Sequence, residues 1–103
     1  MEEENGAFVT DKRRFERFGY VGVVRVADET QIEEYALAKM LNISSGGMYI
    51  ETDARIDEGR KVKVWLEESV PEINQKEFSG LTRWRKTLDD PYSAVYGYGI
   101  QFV

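Results

Sequence analysis

Residues Arg60-Lys61-Val62-Lys63-Val64-Trp65-Leu66-Glu67 alternate polar and apolar side chains with a period of two, the pattern of a strand with one wet and one dry face. Val62, Val64 and Leu66 project to one side, and Lys61 and Lys63 to the other. Such a strand cannot stand alone, because its backbone groups and its dry face both need partners. The rest of the chain offers them. Gly19 and Gly22 flank the start of a Val-rich strand at about 20–27. Asp28-Glu29-Thr30-Gln31 reads as a turn. The stretch at about 33–43 puts Tyr35, Leu37 and Leu41 on one side and Ala36, Ala38 and Met40 on the other. Its Ala, Leu, Lys and Met content also suits a helix. A strand is preferred, because Ile43 leads into Ser44-Ser45-Gly46-Gly47 and then Met48-Tyr49-Ile50-Glu51, in the manner of a hairpin. Asp57-Glu58-Gly59 makes a further turn, and the polar, Pro-bearing residues 67–76 form a loop. Strands are expected at about 77–87 and 94–103, separated by the turn Leu88-Asp89-Asp90-Pro91.

Six short strands at regular spacing, with no long helix, predict an all-β fold: a six-stranded antiparallel barrel over residues 11–103. Closure removes exposed strand edges and gives the inward side chains a shared interior. Residues 1–10 are acidic and are expected to form a flexible tail. Residues 11–18 suit a loop or a single helical turn.

Composition narrows the functions open to such a barrel. The 103 residues form one domain with a modest core, and 42% hydrophobic content marks a folded chain. There is no Cys and no His, which excludes a disulfide scaffold and leaves no basis for a zinc site. The same absence removes every Ser–His and Cys–His arrangement, and no carboxylate pair stands out among the 19 acidic residues. An enzyme is not expected, nor is a cofactor. No apolar run approaches the ~18 residues of a membrane span, and the chain opens on Glu2-Glu3-Glu4. The expectation is a cytoplasmic protein without membrane insertion. A net charge of −5 argues against coating of long nucleic acid. The local exception is Lys12, Arg13, Arg14 and Arg17, four cations against Glu16, which suits a compact dianion.

Two motifs give that exception a chemistry. Arg13 and Arg17 form Arg-x-x-x-Arg, and Asn42-Ile43-Ser44-Ser45-Gly46-Gly47 reads Asn-x-Ser-x-x-Gly. Guanidinium forks match phosphate oxygens and the acceptor edge of guanine. Asn42 and Ser44 are two apart and share a face of an extended strand. Gly47 removes a side chain where a ring could lie against the main chain. Roughly 0.6 matches to the first pattern are expected by chance, against about 0.04 to the second, so the second carries more weight.

On these residues the chain resembles the PilZ domain, the bacterial receptor module for cyclic di-GMP. The resemblance runs from about Lys12 to Val103 and includes Tyr96-Gly97-Tyr98-Gly99-Ile100-Gln101-Phe102, similar to the glycine-bearing last strand of such barrels. It implies a six-stranded barrel that binds cyclic di-GMP through Arg13, Arg17, Asn42, Ser44 and Gly47, closes the Arg segment over the ligand and passes the signal to an effector protein. Lys12 and Arg14 suit either a further phosphate or stacking contact or plain solvation. Gly46 serves the turn under either reading. Asn42 stands where Asp is more frequent, exchanging a charged acceptor for a neutral one. PilZ barrels are often followed by a C-terminal helix, whereas this sequence stops just after the last strand, so no long C-terminal helix is expected.

Plainer readings stand beside these. A basic run is commonly a solvated face, and Asn, Ser and Gly are ordinary turn residues. Trp65 and Trp84 suit the core or a barrel rim better than a ligand platform. Arg83 and Arg85 flank Trp84 and would share the face opposite it, turned to solvent, while Tyr96 and Tyr98 read as structural. Two other functions remain: a PilZ-like interaction module without nucleotide, and a small barrel binding single-stranded nucleic acid.

Overall fold

The computed structural model describes residues 21–70, 73–89 and 94–103. The acidic tail and the basic segment, with Lys12, Arg13, Arg14 and Arg17, lie outside the described residues. Six strands follow in chain order: β1 (Gly22–Asp28), β2 (Ala36–Ile43), β3 (Gly47–Thr52), β4 (Lys61–Leu66), β5 (Glu77–Thr87) and β6 (Tyr96–Phe102). They close into an antiparallel barrel in the order β1-β2-β3-β6-β5-β4, and β4 pairs back onto β1. No helix occurs among the described residues.

The alternation in β4 sends Val62 and Val64 into the interior, where both are fully buried. Val24 and Val26 of β1, Met40 of β2 and Ile50 of β3 meet them there. The β2 stretch, ambiguous between strand and helix, is a strand. Its Ala38 and Met40 face the core, while Leu37 and Lys39 face water. Partners on both sides decide the matter, since β2 pairs with β1 and with β3 and leaves no backbone group for a helix.

β2 begins three residues later than expected. The turn after β1 runs on as two linked turns, with Gln31 N–H donating to Asp28 O and Glu34 N–H to Gln31 O. The loop between β4 and β5 is also more structured than its polarity suggests. Val70 and Ile73 form an isolated bridge, Val70 is buried, and Ile73 packs on the core.

Tyr98 fills the barrel interior and is fully buried. Its hydroxyl donates to Ala54 O at 2.7 Å and accepts from Ile56 N–H at 2.6 Å, so the phenol ties down the chain between β3 and β4. Buried Thr82 does the same for the residues leading into β4, donating to Asp57 O and accepting from Arg60 N–H. The β1–β4 seam is clasped by Asp28 and Arg60, whose Nε lies 2.9 Å from Asp28 Oδ2.

The Asp28 carboxyl is held down at about 2, below the ordinary 3.8. Hydrogen bonds from the Thr30 hydroxyl and backbone contribute most, followed by that from Arg60. A folded value below the unfolded one favours the native state above pH 3.8, and that contribution is lost as pH falls towards about 2. In thermal melts the parent chain should therefore lose stability more steeply across this window than Asp28→Asn, which has nothing to titrate there. Parallel acid limbs for the two proteins would remove Asp28 from the clasp.

Candidate functional site

Two bulges shape the outer wall. The β2–β3 register shifts between Met40 and Asn42, so Leu41 is an extra residue. Met40 and Ile43 are both buried, which simple alternation would forbid, and Asn42 is turned outward opposite Tyr49. The β5–β6 register shifts in the same way between Thr82 and Trp84. Thr82 stays in the core, and Trp84 lies opposite Gly99 on the outside. Asn42, Tyr49, Gly99 and Trp84 therefore form one continuous row across β2, β3, β6 and β5.

The aromatic members of this row lie flat because glycines give them room. A Cβ at Gly99 would come within 3.0 Å of the Trp84 indole, and one at Gly97 would do the same to the Tyr49 hydroxyl. The two rings stack with centroids 5.7 Å apart and planes at 25°, and Trp84 remains 45% exposed. Lys86 Nζ stands 5.4 Å from the Tyr49 ring centroid. The Tyr49 hydroxyl donates to Glu51 Oε2 at 2.8 Å. Burial, then that carboxylate, pushes the phenol far above its usual range, so it stays a neutral donor.

The turn after β2 closes one end of the row. Ser44 N–H donates to Gly47 O at 2.8 Å, Gly46 N–H reaches Ser44 Oγ at 3.3 Å, and Phe102 N–H donates to Gly46 O at 2.9 Å. Gly47 has a structural reason of its own: a Cβ there would collide with the Ile100 carbonyl oxygen of β6. A Cβ at Gly46 would meet nothing within 4 Å.

Together these residues line an open groove of about 280 Å³. Asn42, Ser44, Gly46 and Gly47, four of the residues singled out from the sequence, come together in it, beside Tyr49, Arg83, Trp84 and Gln101. The last four were not expected. Trp84 belongs to the outer wall, not to the core. Arg83 and Arg85 do not share a face: Arg83 is the bulge residue and lines the groove, whereas Arg85 pairs with Tyr98 and sits 5.6 Å from the Tyr96 ring centroid. Alternation carries no mark of a bulge. The one available signal was Gly97-x-Gly99 inside a strand, which announces a close approach. Among the described residues no group of His, Cys, Asp or Glu could hold a metal ion, and no helix is long and apolar enough to cross a membrane.

The family model for the PilZ domain matches residues 11–103, nearly the whole chain. The chain belongs to the PilZ domain family. No curated protein and no solved structure matches it. PilZ domains are cyclic di-GMP receptor modules, a binding family and not an enzymatic one. The match spans both sequence motifs of this PilZ domain and the glycine-bearing β6.

The neighbouring glycines of the second motif separate fold from binding. Gly46→Ala should change stability by less than about 0.5 kcal/mol, whereas Gly47→Ala should cost about 1–3 kcal/mol by forcing β3 from β6. Urea denaturation of the two variants measures this, and equal midpoints would contradict it.

Proposed function

We propose that this PilZ domain is a cyclic di-GMP receptor whose ligand lies in the groove between Asn42 and Trp84 and is gripped by Arg13 and Arg17. The observation that carries this reading is the groove along the four-strand row, because it brings together an amide, a half-exposed indole and a guanidinium. Guanine presents donors on its Watson–Crick edge and acceptors at O6 and N7. The Asn42 amide answers the first and the Arg83 guanidinium the second, while the Trp84 face offers a stacking surface worth about 1–3 kcal/mol per base.

Topology supports the role of the basic segment. Val21 N–H donates to Met40 O at 2.7 Å, two residues before Asn42. Arg17 stands four positions before Val21, and an extended chain covers at most about 14 Å in that span. Covalent reach alone keeps Arg17 within that distance of Val21. Arginine–phosphate bonds are charge-assisted and roughly twice as strong as neutral ones. A ligand held by both segment and groove changes the surface offered to an effector protein, which is how binding becomes a signal.

Calorimetric titration of the full chain with cyclic di-GMP should give saturable binding at micromolar concentration or below. Arg13→Ala and Arg17→Ala should each weaken it by at least about tenfold, or about 1.4 kcal/mol, and Trp84→Ala by a similar factor. Absence of heat and of competition at high ligand concentration would favour the interaction module without nucleotide. Salt-sensitive affinity for oligonucleotides, with indifference to the cyclic dinucleotide, would favour the nucleic-acid reading.

A further inference from the structure

The wall formed by β4, β1 and β2 carries a second surface, none of whose residues line the nucleotide groove. Trp65, Arg25 and Leu37 form a row across these strands. The Arg25 guanidinium lies 5.1 Å from the Tyr35 ring centroid and 5.8 Å from that of Trp65, held between two rings. It forms an ion pair with Glu67, although its Nε–H is not aligned for a hydrogen bond. Lys63, further along β4, donates to Glu77 at 2.6 Å. Both cations are therefore already matched within the barrel.

Among the described residues, none covers the apolar groups beside them. Leu37 is 60% exposed, Tyr35 50% and Ile32 46%. Contiguous exposed apolar groups on a small soluble domain mark an interaction surface, and Trp, Tyr and Arg are the residue types that anchor such surfaces. Past Leu37 the wall dips into a cleft of about 410 Å³ that runs by Lys39 to Glu51 and Asp53. Exposed Glu33 precedes Tyr35 in the turn, whereas Glu34 lines a separate cleft with Arg55, Asp57 and Arg60. Glu33, Glu51 and Asp53 thus flank the apolar strip, against the single ammonium of Lys39.

We propose that this surface docks a cationic amphipathic segment of a protein partner. The segment's apolar side would cover Tyr35 and Leu37, and its Lys or Arg side chains would meet Glu33, Glu51 and Asp53. The acidic frame repels an anionic bilayer, and pairing two copies of the surface would set carboxylates against carboxylates.

The test is a titration of the isotope-labelled full chain, followed by amide chemical shifts, with an amphipathic Leu/Lys peptide of about five helical turns. A Leu/Glu peptide of the same pattern serves as control. The Leu/Lys peptide should give saturable shifts confined to residues 32–39 and 51–53, and the Leu/Glu peptide none. Leu37→Ser, at an exposed position, and the double variant Glu33→Gln with Glu51→Gln should each weaken binding by at least about tenfold. Unsaturable shifts scattered over the whole acidic surface, or undiminished affinity in Leu37→Ser, would overturn the proposal. Binding of phosphatidylglycerol vesicles through the same residues would overturn it in favour of a membrane. A dimer detected by sedimentation and lost in Leu37→Ser would overturn it in favour of a second copy.

Discussion

A closed sheet has one interior, and every strand must keep its apolar side chains pointed there along its whole length. In this barrel the requirement is met by simple alternation in β1, β3, β4 and β6, and by alternation broken once in β2 and once in β5. The two breaks are what let the same strands serve both core and surface. Were β2 to alternate strictly through Leu41 with no bulge there, Met40 and Asn42 would share a side, and an amide would be carried into an apolar interior where it lacks a partner. With it, Ile43 takes the inward place and Asn42 the outward one. The break at Arg83 does the same for Thr82 and Trp84.

Most of the barrel was legible because its strands obey short-range rules. β5 was read at its full extent, 77–87, and β4 within a residue at each end. The start of β2 was misplaced because Ile32 and Tyr35 continue the apolar pattern. Ile32 sits in the second of two turns fixed by Asp28 and Gln31 and Tyr35 follows it, and nothing in the hydrophobic period reports such turns. The bridge between Val70 and Ile73 was hidden for the opposite reason: two apolar residues in a polar loop do not look like structure until a barrel end needs covering. Bulges were the deeper obstacle. A bulge exists only as a relation between two strands, and a single strand read alone contains half of it.

The site residues divide along the same line. Asn42, Ser44, Gly46 and Gly47 were found because they lie close together in one motif, and the groove brings them together. Tyr49 follows Gly47 on β3, whereas Arg83, Trp84 and Gln101 come from two other strands and meet the motif only through pairing. Gly47 answers to two demands, since the pattern that marks the family also admits the Ile100 carbonyl of the neighbouring strand. Its presence alone is therefore a weaker sign of a ligand than the outward phase of Asn42 and the flat, half-exposed ring of Trp84.

The two broken strands bear on how such a gene tolerates damage. Removing Leu41 or Arg83 restores strict alternation on either side, whereas removing a residue beyond either bulge sends every later side chain of that strand to the wrong side. An in-frame loss of one codon is thus absorbed by the architecture at two places in β2 and β5 and misdirects the side chains that follow when it falls past them. Length variation among barrels of this design should collect at those two positions.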